Sequence, residues 1–300
     1  MKLRGTVRGA VMLCAVLGAF SWLARAGELT YRASVEKWRQ DYEASLKSDD
    51  GWLTVSGLFW LHEGENRFGT DPLNDIVLPA TSGPPDAGSF LLHSGKTVVH
   101  VNRTAKVTLN GKPIESAELN PDSQTDRLHL GDLTLYVHAS GQRYSIRLKD
   151  KNSKLRKDFT GLHWFPIDEA YRVVARYVPY NPPKQVDIQN ILGDFDKVPI
   201  VGAAVFTLHG QEYRLDAEED EPGTLSFVFR DLTSGKETYA AARFLDTDGP
   251  HNGAVTLDFN EAYNPPCAYN PYTTCPLPTP GNRLRVAIPA GEKIYKSDAH

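Results

Sequence analysis

Most sequence marks of a known chemistry are missing from this chain. No Gly-x-Gly-x-x-Gly follows a strand pattern and there is no phosphate loop, which sets nucleotide binding aside. No Gly-x-Ser-x-Gly elbow is present, so the usual hydrolase nucleophile turn is absent. No His-Glu-x-x-His occurs, which removes the commonest zinc-protease helix. Basic charge is in deficit, with 33 Lys and Arg against 37 Asp and Glu. Phosphate backbones and anionic membrane surfaces demand the opposite balance, so neither nucleic acid nor a membrane surface is an expected partner. Cysteine is scarce, at three in 300 residues. After the first 26 residues no apolar run approaches the ~20 residues of a membrane helix, so the rest of the chain is expected to be soluble.

What is there begins with an export signal. Lys2, Arg4 and Arg8 precede an apolar run from Ala10 to Leu23, and Ala24-Arg25-Ala26 supplies a small-x-small cleavage pattern. This predicts a signal peptide over residues 1–26 and a mature chain starting at Gly27, in the periplasm or secreted from a bacterial cell envelope. An uncleaved anchor is the alternative; a lipid-modified Cys14 is disfavoured by the bulky residues before it. Cleavage removes four basic side chains and no acid, leaving 29 basic against 37 acidic, net −8. It also removes Cys14. The remaining pair, Cys267 and Cys275, is expected to form one disulfide in an oxidising compartment, contributing about 2–3 kcal/mol through chain entropy. Reduced thiols are the alternative; a zinc pair is disfavoured because no His lies near.

Tyr31, Val35, Trp38, Tyr42 and Leu46 recur every three or four residues, which predicts an amphipathic helix from about Leu29 to Lys47. After Gly51 the period changes. Short alternating runs such as Thr97–Val101, Ala105–Leu109 and Leu133–Val137 are separated by turn signals, Asn110-Gly111 and Ser140-Gly141 among them. A charged stretch, Lys149–Asp158, is read as a solvated connection, with an anionic-ligand patch as the alternative. Beyond it, Tyr171–Val178, a hairpin of Val205–Leu208 and Glu212–Leu215, a second hairpin of Thr224–Arg230 and Thr238–Leu245 around Asp231–Gly235, and Val255–Phe259 and Leu284–Ile288 predict an antiparallel meander, closed as a barrel or packed as a sandwich. The expected organisation is a signal peptide (1–26), a helix (27–50), a β-sandwich (51–150) and a C-terminal antiparallel β domain (151–300). The fold class is mainly β.

Candidate chemistry gathers in one segment. Residues 257–278 hold three Asn, three Tyr, five Pro and both remaining cysteines. Proline-rich loops have little entropy left to lose, and rigid loops lined with amides and phenols bind ligands. Asp258, Asn260, Tyr263, Asn264, Tyr269, Asn270 and Tyr272, with Glu292, are the candidate ligand-binding residues. The competing view is that the Asp and Asn side chains satisfy the loop's own backbone. Ser56 is a weaker candidate nucleophile, more simply a strand-end serine. His62-Glu63-Gly64-Glu65 and Asp246-Thr247-Asp248-Gly249 lack the spacing of a metal loop. Asp216–Glu221 reads as a solvated turn. No cofactor or metal is expected.

Two resemblances accompany this. Asn66-Arg67-Phe68-Gly69-Thr70, Asn74-Asp75-Ile76-Val77-Leu78, Val107-Thr108-Leu109-Asn110-Gly111 and Leu128-His129-Leu130-Gly131-Asp132 resemble a forkhead-associated β-sandwich, which implies that fold for Gly64 to about Leu148. Thr70 stands where that family has its phosphate-gripping Arg, and residues 82–89 lack its Arg and His, so phosphopeptide binding is not implied. Gly51-Trp52-Leu53-Thr54-Val55-Ser56-Gly57-Leu58-Phe59-Trp60-Leu61, Phe165-Pro166-Ile167-Asp168, Arg243-Phe244-Leu245 and Asn282-Arg283-Leu284 resemble the bacterial domain of unknown function 1684 family, which implies a shared architecture and no stated activity. Together these observations favour an exported protein that binds a small molecule, glycan or envelope partner near Cys267–Cys275. A cofactor-free hydrolase using Asp258 or Glu292 and a structural assembly module are the alternatives.

Overall fold

A computed structural model describes residues 29–295. The expected signal peptide and its cleavage site lie outside the described residues. Residues 29–47 are helical (α1), as the period of three and four predicts. Trp38 and Tyr42, one turn apart, stack with ring centroids 5.4 Å apart.

All strands lie in one compact unit that begins at Glu43. The first eleven are β1 (Val55–Trp60), β2 (Gly64–Gly69), β3 (Ile76–Val77), β4 (Gly88–His93), β5 (Lys96–Val101), β6 (Thr108–Leu109), β7 (Lys112–Pro113), β8 (Ser116–Leu119), β9 (Leu128–Leu130), β10 (Leu133–Ser140) and β11 (Arg143–Asp150). They form two sheets, β1-β11-β10-β9-β6-β7 and β3-β2-β4-β5-β8. One core joins the sheets: Phe68, Phe90 and Val99 from one meet Leu128, Val137 and Ile146 from the other. This is a β-sandwich, as expected. Asn110 and Gly111 connect β6 to β7 with φ of 52° and 73°, the left-handed pair a two-residue hairpin needs.

The charged stretch after the sandwich does more than connect. Its first residues complete β11, and Ser153 caps a short helix α2 (Lys154–Asp158) by accepting from the Arg156 amide at 3.2 Å. Lys149 is buried and donates to the Asp50 carbonyl at 2.6 Å; Arg156 donates to the Lys47 carbonyl at 2.8 Å and to Asp49 at 2.8 Å. The cations bind carbonyls where a helix ends, which is where such groups lack backbone partners.

The third sheet holds β12 (Arg172–Gln189), β13 (Phe195–Leu208), β14 (Gln211–Glu221), β15 (Thr224–Phe229), β16 (Arg243–Asp248) and β17 (Ala254–Asp258), in the order β16-β15-β14-β13-β12-β17. Every pair is antiparallel. Phe244 and Tyr263 exchange two backbone hydrogen bonds of 2.9 Å, so the chain just past β17 joins the far edge and nearly closes a barrel. Phe206, Phe229 and Phe259 cluster inside, with centroids 5.5–5.7 Å apart.

Three local expectations are corrected. Asp216–Glu221 belongs to β14, not a turn. The hairpin arm expected from Thr238 starts only at Arg243, because residues 230–242 are held in turns. Leu284–Ile288 is not a ladder strand. Its neighbour is that turn segment, so only isolated bonds form, such as Leu284 N to Arg230 O at 2.7 Å and Leu232 N to Val286 O at 3.0 Å. Its apolar alternation instead places Leu284 and Ile288 in the barrel core.

Candidate functional site

The tail after residue 282 is positioned by buried polar side chains. Asn282 accepts from the Asp216 amide at 2.8 Å and donates to the Asp216 and Val228 carbonyls at 2.9 Å each. Arg243 is fully buried and pairs with Asp231, also fully buried, at 2.5 Å. The same guanidinium donates to the Ile288 carbonyl at 3.0 Å and to the Ala290 carbonyl. Burial pulls its pKa below the ordinary value while Asp231 pushes back. Gly291 follows with φ of +79°; a side chain there would meet the Ala262 carbonyl at 2.3 Å, so glycine is required. The next residue is Glu292.

Glu292 is 1% exposed. Its carboxyl accepts from the Asn264 amide at 2.8 Å, the Asn264 Nδ2 at 2.7 Å and the Tyr269 hydroxyl at 2.8 Å. Desolvation pushes its pKa up to about 8, against the pull of these donors and of Arg243. The neutral acid is therefore favoured at neutral pH.

Tyr269 is also the wall of a cavity of about 400 Å³. Val55 and Ser56 from β1, Lys154, Leu155 and Asp158 from α2, and Tyr269, Tyr272 and Tyr295 line it, among others. Tyr269 and Tyr295 meet edge to face, with centroids 5.2 Å apart and planes at 71°. The Ser56 hydroxyl is buried and has no hydrogen-bond partner among the described residues. Lys154 and Asp158 form an ion pair on the helix at the rim. Rings meeting edge to face, an unengaged hydroxyl and a buried acid behind one ring can grip a small, partly polar molecule.

The remaining sequence candidates serve the scaffold. The strand ends at Asp258, which caps the next turn and accepts from the Asn260 amide at 3.1 Å. Asn260 binds Asp168 in both directions, at 2.9 and 2.8 Å. Tyr263 closes the barrel and donates to Asp246 at 2.5 Å. Asn270 accepts from the Tyr272 amide at 2.9 Å and donates to the Trp52 carbonyl at 3.2 Å. None of Asp258, Asn260, Tyr263 and Asn270 lines the cavity. Cys267 and Cys275 are side by side as free thiols rather than joined as expected; the Cys267 amide donates to the Cys275 sulfur at 3.2 Å. Cys275 is the more acidic of the two, because the Cys267 thiol donates to it and Arg147 lies near. Among the described residues no group of three or more His, Cys, Asp or Glu side chains is placed to hold a metal.

Sequence reasoning missed Asp231, Arg243, α2 and Tyr295. A charged Arg in an alternating run, Arg243-Phe244-Leu245, was the only signal for the first pair. Lys154 and Asp158, four apart, were the signal for α2.

Residues 157–293 match the family described as "Protein of unknown function (DUF1684)", and through this region the chain belongs to that family. An uncharacterized protein from gene locus rrnAC0354 of Haloarcula marismortui, known from a solution NMR structure, is 34% identical over 48% of this chain and 81% of its own, with a TM-score of 0.40. An FHA domain studied for phosphothreonine-dependent interactions is 17% identical over 31% of this chain and 92% of its own, with a TM-score of 0.23. The curated proteins give no match.

Proposed function

We propose that this DUF1684 member is a small-molecule or glycan-binding protein whose ligand occupies the cavity between β1, α2 and the proline-rich loop. The observation that carries this is the union of Tyr269, Tyr272, Tyr295 and the unengaged Ser56 hydroxyl around about 400 Å³. Aromatic faces stack on sugars or planar groups, and Ser56 supplies an orienting hydrogen bond.

The experiment is a thermal-shift screen of mono- and oligosaccharides and small aromatic compounds. A rise in Tm that Tyr272→Ala and Ser56→Val abolish is expected. Equal shifts in wild type and both variants would place the ligand elsewhere and overturn the reading.

Glu292 favours a second reading, acid–base chemistry, because its pKa is raised to about 8. It meets the cavity only through Tyr269, and Asp258 is engaged as a cap, so binding is preferred. We also propose that the chain is exported, that its sandwich (51–150) and C-terminal β domain (151–300) are separate domains, and that the adjacent Cys267 and Cys275 oxidise to a disulfide in that compartment. The mass of the exported chain, with and without reductant, tests cleavage after Ala26 and the loss of two thiol hydrogens.

A further inference from the structure

A second constellation lies across the sandwich's outer face and owes nothing to the tyrosine cavity. His138, on β10, is buried. Its Nδ1 lies 2.7 Å from Asp122 Oδ1 and its Nε2 lies 2.7 Å from Thr274 Oγ1. Asp122 also accepts from the Ala139 amide at 3.1 Å. The bonds from His138 and Ala139 outweigh burial and hold its carboxyl below the ordinary value, so it is ionised. An ionised carboxylate on Nδ1 selects the tautomer with its proton there, which leaves Nε2 as the acceptor for the Thr274 hydroxyl. Arg147 adds a cation. It is 4% exposed, its Nη2 donates to Thr274 Oγ1 at 3.2 Å, and its Nε is buried with no partner among the described residues.

We propose that Thr274, His138 and Asp122 form a hydroxyl–imidazole–carboxylate relay that hydrolyses small carboxylic esters, with Arg147 facing the developing oxyanion. Thr274 Oγ forms a bond to the acyl carbon as its proton passes to His138 Nε2. The ester C–O bond breaks and His138 returns that proton to the departing alcohol oxygen. Water then attacks the acyl-Thr274 carbon and gives its proton to His138. The Thr274–acyl bond breaks, the acid leaves, and the proton returns to Thr274. Asp122 orients the ring throughout.

The probe is p-nitrophenyl acetate with the full chain, followed by absorbance and by the mass of the acid-quenched protein. Wild type and Thr274→Ser are expected to release p-nitrophenol above the buffer rate and to carry one acetyl group, on residue 274. Thr274→Val and His138→Gln are expected to fall to the buffer rate. Asp122→Asn, which keeps the side chain's size on a half-exposed turn, is expected to lower the rate at least ~10-fold and carries the test if Thr274→Val does not fold. Wild type at the buffer rate, equal rates in wild type and Asp122→Asn, or acetyl groups only at other residues would reduce the three residues to a structural tie and overturn the proposal.

Discussion

In the sandwich, β10 and β11 send Leu135, Val137, Ile146 and Leu148 into an apolar core, while His138, Arg147 and Lys149 alternate to the opposite face. In the barrel, the core of Phe206, Phe227, Phe229 and Phe259 ends against a buried polar layer of Asp231, Arg243, Asn264, Asn282 and Glu292. The two bodies use the same strand period. They differ in what fixes the irregular chain beside them. Hairpin turns hold the sandwich strands, and each turn is coded by adjacent residues. The barrel's tail is held by side chains far from it in sequence, such as Arg243 reaching Ile288 and Ala290. Local coding tolerates the loss of one contact, whereas a buried charge layer does not, because each member removed leaves its partner desolvated.

The sharpest way to break this contrast is Arg243→Ala. It strands Asp231 with no exposure to solvent, and a loss of about 3–5 kcal/mol in urea unfolding is expected. A loss no larger than that of a surface substitution would refute the buried layer as the tail's anchor. Asn282→Ala comes next. It removes three hydrogen bonds to backbone groups of Asp216 and Val228, and about 2–3 kcal/mol is expected by the same measurement.

Glu292→Gln separates charge from shape. The folded-state pKa of about 8 lies above the ordinary 4.5, so the folded chain keeps a proton that the unfolded chain sheds. The stabilisation from Glu292 is full below about pH 4.5 and is lost as pH rises through about 8. The Gln variant lacks that dependence, so its Tm relative to wild type is expected to rise between pH 5 and pH 9. A constant difference across that range would mean that Glu292 is ionised throughout. The smallest effect is expected in the sandwich: Asn110→Ala places alanine at φ of 52° and should cost about 1 kcal/mol without changing the fold.

The contrast also explains what was legible. Tyr31 to Leu46 predict α1, Asn110-Gly111 predicts its hairpin, and the alternating runs predict β5, β6 and β10 of the sandwich and β15, β17 and parts of β12 to β14 of the barrel. Those signals are local in sequence. Leu284–Ile288 alternates like a strand yet has no strand to pair with, because Asp231 and Thr233 hold the neighbouring segment in turns. Asn264, Tyr269 and Glu292 were singled out by residue type, and the fold joins them. Asp258, Asn260 and Asn270 were singled out on the same grounds, and they bind backbone instead. Residue type alone does not tell an Asn that holds a loop from one that holds an acid. That distinction depends on Gly291 turning Glu292 inward, which no pattern within the loop records.

The most direct test of the account is a carbon NMR titration of the Glu292 side-chain carboxyl, assigned by comparison with Glu292→Gln. A midpoint near pH 8 is predicted, with the Tyr269 ring resonances moving in step. A midpoint near the ordinary 4.5 would mean a solvated, ionised carboxylate, and would contradict both the buried polar layer and the neutral acid behind the cavity.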